Sequence, residues 1–323
     1  MTKKTIGRIH TDMKSKITSL LILFLTAAIW GFAFVAQATG SNHLGAFAFN
    51  GIRFAIGALS LLPVVLVVER GHATRELRRK TLFASVLAGS VLFLASSIQQ
   101  FGIEITGSAG VAGFITGLYT VFVPISCFLL FKTKTKINVW LGASLAVVGL
   151  FLLCYTLGEG LSFGLGEIIL LISTFLWTAH IMIVDKVGAS LRSLHFALGQ
   201  FCFCALLGLI AMFIFDPPTL EGIFSAKWSI LYCGVLSVGV AYTLQIVAQK
   251  RADPTYAAII LSTESLFSAI GGAIFGIDNI SSIGYFGCLV MFAGVVVSQI
   301  EFGKKSAKSA SDRAERMDDA DSQ

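Results

Sequence analysis

Residues 100–125 read QFGIEITGSAGVAGFITGLYTVFVPI, and this mostly apolar stretch determines how the whole chain is interpreted. It aligns without a gap with residues 245–270, QIVAQKRADPTYAAIILSTESLFSAI, at an offset of 145 positions. The identities in this alignment include Gln100 with Gln245, Ala112 with Ala257 and Phe122 with Phe267. A segment that recurs at a constant offset indicates a duplicated structural unit.

The repeat extends on both sides of these two segments, at an offset of 145 towards the C-terminus and of 147 towards the N-terminus. The additional identities are Gly142 with Gly287, Gly149 with Gly294, Trp30 with Trp177 and Phe54 with Phe201. Apolar segments of low complexity align tolerably by chance, but a constant offset over several segments favours duplication. We therefore predict one unit at residues 17–156 and a second at residues 166–301. Residues related by these offsets are called repeat partners.

The composition places both units in a membrane. Of the 323 residues, 55% are hydrophobic and 13% are charged, and the mean hydropathy is +0.83. A soluble domain carries about 25% charged residues, so this chain requires lipid as its main solvent. The formal net charge is +6, but the basic residues lie in short segments between apolar runs. Nucleic acid is therefore not expected as a partner.

Ten apolar stretches of about 20 residues follow one another, a length that matches the hydrocarbon core of a bilayer. Because lipid offers no hydrogen bonds to the backbone, each stretch is expected to cross the membrane as a helix. The predicted spans cover residues 17–38, 44–68, 81–102, 108–131, 138–156, 166–185, 195–215, 228–248, 255–276 and 282–301. The predicted fold class is all-α and integral to the membrane, with ten transmembrane helices. Since five is odd, the second unit enters from the opposite side, and the two five-helix units form inverted repeats.

The basic residues predict the orientation, because short positively charged loops stay in the cytoplasm. With the N-terminus inside, 22 of the 24 lysines and arginines lie in inner segments; Lys227 lies in an outer loop and Arg53 lies within span two. We predict a multi-pass protein of the inner or plasma membrane with both termini in the cytoplasm. Residues 1–16 form a cytoplasmic N-terminal segment, and residues 302–323 form a disordered cytoplasmic tail.

Six stretches resemble those of one transporter family. They are AAIWGFAFVAQ (27–37), FNGIRFAIGAL (49–59), GFITGLYTVFVPI (113–125), WLGASLAVVGLFLL (140–153), LSTESLFSAIGGAIFG (261–276) and YFGCLVMFAGVVV (285–297). The chain resembles the EamA family of the drug/metabolite transporter superfamily over about residues 20–298. An acidic residue that this family often has after spans four and nine is missing at Phe131-Lys132, and Asp278 stands near the second of these places.

The resemblance implies a carrier of amino acids, other small metabolites or toxic organic compounds. Export is common in this family and proton coupling is frequent. The resemblance also implies that the helices other than five and ten surround a central cavity.

Two ionisable residues lie near the middle of predicted spans. Arg53 is nine residues from the outer end of span two, and Glu264 is nine residues from the inner end of span nine. At 1.5 Å per residue, both lie roughly 13 to 14 Å deep. Such groups are costly in lipid and usually face a cavity or a partner. Arg53 is predicted to hold a substrate carboxylate or Glu264, and Glu264 to exchange a proton during transport.

Two other roles for this pair are open: a static ion pair that fixes helix packing, and a neutral Glu264 that is hydrogen bonded. Asn50, three residues before Arg53, is placed to orient the guanidinium. Gln200, the repeat partner of Arg53, is expected to do comparable work in the second half.

A polar stripe is predicted on span three and repeated on span eight. Its members are Ser97, Gln100 and Glu104 on one helix, and Tyr242, Gln245 and Gln249 on the other. Amides and hydroxyls at this depth suit a water-filled cavity that binds a polar solute, or they serve as interhelical hydrogen bonds of roughly 0.6 kcal/mol. Thr116 and Tyr119 continue the polar set on span four, and Tyr119 is the repeat partner of Glu264.

Trp30 and Trp177 are repeat partners that lie far from the membrane interfaces where tryptophan usually resides. We predict that they form part of a cavity wall. His180 follows Trp177 on the same helical face, as either a substrate contact or a satisfied structural donor.

These patterns predict a secondary transporter of a small metabolite that exports by alternating access and is coupled to protons. A passive channel is the first alternative and a membrane-embedded enzyme the second. The six cysteines show no CxxC spacing, and no GxGxxG, P-loop or HExxH motif occurs, so neither a metal nor a cofactor is expected. The expected partners are the substrate and the lipid bilayer, and a homodimer is left open.

Overall fold

The computed structural model describes residues 3–132, 137–153, 155–156, 160–161, 163–188, 191–249, 260–261, 263–278 and 280–300. Six helices form the first half: α1 (Lys3–Ser41), α2 (Ala46–Val68), α3 (Arg75–Thr106), α4 (Ala109–Gly117), α5 (Tyr119–Phe131) and α6 (Ile137–Leu153). Two strands of two residues each, β1 (Tyr155–Thr156) and β2 (Gly160–Leu161), pair antiparallel in the connection between the halves.

The second half is also helical in the residues described. Its elements are α7 (Leu165–Gly188), α8 (Ser193–Phe215), α9 (Leu220–Ser225), α10 (Lys227–Leu231), the π-helix π1 (Tyr232–Ala241), α11 (Tyr242–Gln249), α12 (Glu264–Ile274) and α13 (Ser282–Gln299). The predicted tail at 302–323 and the first part of predicted span nine lie outside the described residues.

Within the described residues, seven helical segments are long and apolar enough to cross a membrane. They are Leu21–Ser41, Ala46–Val68, Arg75–Thr106, Ala109–Leu130, Leu165–Val184, Ser193–Phe215 and Lys227–Gln245. Three further apolar helices are shorter, at Ile137–Leu153, Glu264–Ile274 and Ser282–Ser298. The protein is therefore a multi-pass, helical membrane protein. The predicted number of ten crossings depends on the three shorter helices and stays a prediction.

Helices of one half pack on helices of the other. α2 packs on α8, α6 on α13, and α4 on α12. In addition, α3 packs on α7 while α1 packs on π1 and α11. The pairs α2 with α8 and α6 with α13 join repeat partners, whereas α12 is the repeat partner of α5 and not of α4. The contact of α3 with α7 and the contacts of α1 with π1 and α11 are equivalent under the repeat.

Four glycines allow α6 and α13 to cross closely. A Cβ atom on Gly142 would lie 2.4 Å from the Gly294 carbonyl oxygen, and one on Gly149 would lie 2.6 Å from that of Gly287. In the reverse direction, a Cβ on Gly294 would lie 2.6 Å from the Gly142 carbonyl oxygen, and one on Gly287 would lie 2.6 Å from that of Gly149. These distances are too short for a side chain, so the backbones themselves are in contact.

Predicted span four consists of two helices, α4 and α5, which meet at Leu118 (φ −62°, ψ −14°). Its repeat partner Thr263 has nearly the same conformation just before α12 (φ −66°, ψ −9°). The Leu118 amide bonds the Ile115 carbonyl, and the Thr263 amide bonds the Ile260 carbonyl, over three residues instead of four. The same tightened turn therefore occurs at equivalent places in both halves.

Predicted span eight also departs from a regular α-helix, since residues 232–241 form π1. Glycines on π1 meet α2 closely: a Cβ on Gly234 would lie 2.8 Å from the Ile56 side chain, and one on Gly239 would lie 2.1 Å from Ser60 Oγ. π-helical turns are rare and occur often at functional sites.

The acidic residue that follows each of α2 and α8 caps the N-terminus of the other helix. Glu69 Oε1 accepts the Leu194 amide at 3.0 Å and Oε2 accepts the His195 amide at 3.1 Å. Asp216, the repeat partner of Glu69, accepts the Ala48 amide at 3.1 Å through Oδ2. We call these two contacts the reciprocal caps. Burial raises the pKa of Glu69, but hydrogen bonds from the His195 side chain and from both amides lower it more, so the net pKa is below the usual value.

A third acid caps α4 from the other half of the chain. Asp278 accepts hydrogen bonds from Ser108 Oγ at 2.8 Å and from the Gly110 amide at 2.9 Å. Burial is the largest influence on its pKa and raises it above the usual range, although these bonds oppose the shift. Negative charge at a helix N-terminus is favourable, so Asp278 ties the segment after α12 to α4.

Candidate functional site

Tyr119 and Glu264 meet at the two helix breaks. Tyr119 is the first residue of α5 and Glu264 is the first residue of α12. The Tyr119 hydroxyl donates to Glu264 Oε1 at 2.8 Å, and the Glu264 side chain is buried. Both residues therefore stand directly after the tightened turns at Leu118 and Thr263. The two repeat partners that were predicted to lie near the site are in direct contact.

Arg53 is buried in α2 and is held by its own helix. Its Nε donates to Asn50 Oδ1 at 2.7 Å, and the guanidinium carbon lies 5.7 Å and 5.1 Å from the ring centroids of Phe49 and Phe54. Asn50 therefore orients Arg53, as expected. The rings contribute a cation–π attraction that compensates part of the desolvation of the charge.

The hypothesis of an ion pair between Arg53 and Glu264 is wrong for this conformation. Among the charged groups that the structure describes, no carboxylate lies within the 4.0 Å limit of a salt bridge to Arg53. Glu264 is instead bonded by Tyr119. The sequence placed both groups near mid-depth, but it contained no signal for the side of each helix on which they lie.

Aromatic rings join the two halves beside Arg53. Tyr242 lies edge-on to Trp30, with ring centroids 5.0 Å apart, and edge-on to Phe201 at 5.2 Å. Phe201 in turn lies 6.2 Å from its repeat partner Phe54. The Trp30 indole donates to the Ser237 carbonyl in π1 at 3.1 Å.

Trp177 and His180 lie on the opposite side of this aromatic group, on α7. Trp177 packs against the cluster that contains Phe54 and Phe201. The His180 ring lies 5.8 Å from Trp177, and its Nε2 is 2.9 Å from Gln200 Oε1. The ring shares a hydrogen bond with Gln200, which agrees with a structural role for His180 that requires no substrate.

Gln100 and Thr116 belong to a second polar group formed by α1, α3 and α4. Gln100 Nε2 donates to the Gln37 carbonyl at 3.2 Å, and Gln99 Nε2 donates to Thr116 Oγ1 at 3.0 Å. Sequence reasoning missed Gln37 and Gln99. Gln37 was detectable, because it lies seven residues after Trp30 on the same face of span one.

Five buried polar atoms have no hydrogen-bond partner among the residues that the structure describes. They are Gln37 Oε1, Asn50 Nδ2, Ser97 Oγ, Gln100 Oε1 and Trp177 Nε1. Three of the five belong to residues predicted for the site: Asn50, Gln100 and Trp177. An unpaired buried polar group costs about 1–3 kcal/mol unless water or a ligand completes it. These atoms are available to form hydrogen bonds with a polar solute or with ordered water.

The predicted stripe on span three is not one buried face, because Glu104 is exposed whereas Gln100 is fully buried. Ser97 is buried too, but it lines an apolar groove with Phe47 and Phe93. On α11, Gln245 is half-buried and is not bonded to the Tyr119–Glu264 pair, and the side chain of Gln249 lies outside the described residues.

A family described as the EamA-like transporter family matches the chain twice, at residues 17–155 and 164–299. The chain belongs to the EamA-like transporter family. This EamA protein is similar to an uncharacterized transporter of Archaeoglobus fulgidus, with 27% identity over 277 residues that cover 85% of this chain and 84% of the relative. It is also similar to the uncharacterized transporter YoaV of Bacillus subtilis, with 21% identity over 88% of this chain and 98% of the relative.

A protein of known crystal structure shares the fold of this EamA chain. The superposition has a TM-score of 0.64 and covers 88% of this chain and 96% of the other, with 17% sequence identity. At this identity the likeness concerns the fold alone.

Proposed function

We propose that this protein is a secondary transporter that carries a small polar metabolite, an amino acid or a related compound, through a site between its two halves. The observation that carries this proposal is the pair of equivalent helix breaks at Leu118 and Thr263. Discontinuous helices whose half-helix ends face a buried site are a recurring design of secondary transporters. In this chain the breaks bring Tyr119 and Glu264 together.

The proposed architecture is ten crossings arranged as two inverted five-helix repeats. The packing of α2 on α8 and of α6 on α13 supports it, because helices near a two-fold axis contact their own repeat partners. The glycine contacts add support, since Gly142 meets Gly294 while their partners Gly287 and Gly149 meet each other. With an odd number of helices in each half, such an axis lies in the membrane plane.

The proposed mechanism is alternating access by rocking of the two halves. The reciprocal caps lie at opposite ends of α2 and α8 and suit the two gates of such a cycle. The Glu69 cap holds the end on the side of Arg70–Lys80, which we assign to the cytoplasm, and the Asp216 cap holds the other end. Opening one end breaks one cap while the other persists, so each state keeps one pair of helix ends joined.

The chemistry of the site suits a substrate with a carboxylate. Arg53 is a buried cation without a carboxylate partner in the described residues, and the guanidinium fork binds carboxylates through two parallel bonds. The unpaired Asn50 Nδ2 lies on the same helix and is a further donor. We propose that Glu264 carries the coupling proton and that flux is outward.

Counterflow in proteoliposomes tests the function directly. Cells that overproduce the protein are first screened for metabolites whose efflux rises, and the purified protein is then reconstituted with the metabolite found. A carrier exchanges labelled for unlabelled substrate one for one through a closed cycle. Rapid equilibration without this exchange would favour a channel, and a chemically altered product would favour an enzyme.

A further inference from the structure

A groove of about 410 Å³ lies between the first turns of α3 and of α8, away from the site described above. Its lining includes Arg78, Leu82 and Val86 from α3, and Phe203 and Leu206 from α8, with Arg192 at its end. The groove opens laterally, since Leu82 is 67% and Leu206 is 52% exposed. In a membrane protein, an opening at these residues faces the lipid.

The end of the groove nearest the Arg70–Lys80 segment is basic. Arg78 is exposed and has no ion pair among the described residues. Arg192 is held in place by the backbone carbonyls of Glu69, Arg70 and Gly71. Carbonyl bonds fix the position of a guanidinium without cancelling its charge.

The nearby acid does not neutralise this end completely. Both carboxylate oxygens of Glu69 are hydrogen bonded in the first turn of α8, by the amides of Leu194 and His195 and by the His195 ring. Glu69 Oε2 lies 3.8 Å from Arg192 Nε. Arg78 and Arg192 thus bring two positive charges to the groove, against the single negative charge of Glu69 beside Arg192. The remaining field is positive, which favours an anion.

The rest of the groove is mostly apolar and runs along the axis of α3. Arg78 and Val86 are eight residues apart on α3, about 12 Å along the helix axis. The hydroxyls that border this path, Thr81 and Ser85, already donate to the backbone carbonyls of Leu77 and Phe196. The groove thus has basic residues at one end, and behind them an apolar surface whose hydroxyls are already hydrogen bonded. This arrangement matches a phospholipid, which has a charged head group and apolar acyl chains.

A second groove serves as an internal comparison. It has a volume of about 300 Å³ at the other end of α3 and α8, and it is lined by Phe47, Phe93, Phe101 and Phe215 without any basic residue. Both grooves offer an apolar surface to lipid, but only the first adds guanidinium groups.

We propose that the groove between α3 and α8 binds an anionic phospholipid of the bilayer. The phosphate contacts Arg78 and Arg192, and one acyl chain lies along Leu82, Val86, Phe203 and Leu206. Basic pockets between transmembrane helices on the cytoplasmic side are suited to anionic lipid head groups. The groove does not include the Tyr119–Glu264 site, and lipid binding to it does not depend on the proposed function.

Native mass spectrometry of the delipidated full chain in detergent tests this proposal. The protein is titrated with phosphatidylglycerol, with phosphatidylethanolamine of the same acyl chains, and with glycerol phosphate. We expect phosphatidylglycerol to bind best, and the Arg78→Gln variant to bind it about fivefold more weakly, the effect of one basic residue near a membrane surface. Arg79→Gln is the matched control, because Arg79 is exposed on the same turn but does not line the groove.

Three results would overturn the proposal. Equal binding of phosphatidylethanolamine would mean that the groove recognises acyl chains only. Competition by glycerol phosphate at equal concentration would mean a site for soluble anions. An equal loss in Arg78→Gln and Arg79→Gln would mean diffuse attraction to the whole basic segment. A Val86→Trp variant, which fills the apolar trough and leaves both arginines, is expected to weaken phosphatidylglycerol binding as well, and the thermal unfolding midpoint confirms that each variant is folded.

Discussion

A proton donor and an acid face each other at equivalent positions of the two halves. Tyr119 and Glu264 are separated by 145 residues and share one hydrogen bond of 2.8 Å. The bond holds the carboxyl group at the N-terminus of α12, where negative charge is favoured. A group that exchanges a proton during transport has to change partners, so the removal of either side chain is informative.

Glu264→Gln is expected to reduce counterflow at least about tenfold, equivalent to about 1.4 kcal/mol, and to remove its pH dependence. The amide keeps the shape of the side chain and accepts the Tyr119 hydrogen bond, but it cannot carry a proton. Counterflow measured from pH 5 to 9 checks this. The matched control is Glu104→Gln, which changes an exposed acid on α3; unchanged transport and pH profile in Glu264→Gln would contradict the coupling role.

Tyr119→Phe keeps the acid and removes its donor. We expect the variant to transport, but with a displaced pH profile, since the phenol stabilises one protonation state of Glu264 more than the other. Tyr232→Phe is the control, because it also loses a phenol hydrogen bond, to the Ile29 carbonyl, outside this pair. Equal effects of the two substitutions would indicate a packing role for Tyr119.

Arg53→Lys tests the guanidinium itself. Lysine keeps the positive charge, but it loses the fixed geometry that Arg53 gains from Asn50 and from the rings of Phe49 and Phe54. A hydrogen bond to a charged group contributes about 1.5–3 kcal/mol, so KM is expected to rise about tenfold or more. Arg79→Lys provides the control, and an unchanged KM for a carboxylate substrate would exclude Arg53 as its anchor.

At the scale of helices, the breaks at Leu118 and Thr263 could not be predicted from the sequence. Gly117 precedes the first break and Ser262 precedes the second, so the two halves share no helix-breaking residue there. Leucine is a good helix former, so Leu118 itself gives no signal of the tightened turn. The repeat alignment pairs Leu118 with Thr263, but only the structure shows the same tightened turn at both.

The crossing of α6 and α13 is expected to be intolerant of side chains. A valine at Gly149 would overlap the Gly287 carbonyl and the backbone of Met291, and overpacking of this kind costs about 1–3 kcal/mol. We expect Gly149→Val to lower the thermal unfolding midpoint in detergent, measured by tryptophan fluorescence. Val148→Ile on the exposed face is the control. Counterflow per folded molecule should persist, because this crossing lies apart from the site.

The reciprocal caps predict opposite effects from two similar substitutions. Glu69→Gln weakens one end of the α2–α8 pair and Asp216→Asn weakens the other, so they shift the conformational equilibrium in opposite directions. A cysteine in place of Thr116, labelled by an impermeant maleimide and located by peptide mapping, reports the open side. We expect Glu69→Gln to increase labelling from the cytoplasm and Asp216→Asn to increase it from outside. Labelling that changes on the same side in both variants would contradict the gating role.

The Glu69 cap also has a pH signature. The pKa of Glu69 is lowered on folding from its ordinary value of 4.5, so its stabilising effect is complete above about pH 4.5 and is lost as the pH falls through the folded pKa. Wild type is therefore expected to unfold at a higher temperature than Glu69→Gln at pH 7, and the difference should shrink in acid. Glu221→Gln, at an exposed acid in α9, should show no such pH dependence.

At the scale of the whole molecule, we propose that both termini lie in the cytoplasm. Fusion of a fluorescent protein to Gln323 and insertion of an epitope tag between Asp216 and Thr219 place the two reporters on opposite sides. We expect the fusion to fluoresce in the cytoplasm and the tag to be reached by antibody on intact spheroplasts. Detection of both reporters on one side would exclude the proposed topology.

The helical spans were the most predictable feature. Each apolar segment has to form its own backbone hydrogen bonds in lipid, so its hydropathy alone indicates a helix. The predicted boundaries of span two at 44–68 and of span seven at 195–215 lie within two residues of α2 and α8. Contacts between distant segments were less predictable. The Asn50–Arg53 bond follows from helical spacing, whereas the bond of Gln99 to Thr116 and the π-helix at Tyr232–Ala241 depend on packing that no local pattern encodes.

The bond between Tyr119 and Glu264 bears on how such a chain arises when two copies of one gene fuse. In a dimer of identical halves, a side chain on the axis meets only its own copy, so a tyrosine would face a tyrosine and a glutamate a glutamate. Once the copies are covalently joined, each mutates separately, and one half can hold the donor while the other holds the acid. Fusion thereby gives a symmetric scaffold a chemically polar centre, and the inward and outward steps of its cycle are free to differ in rate.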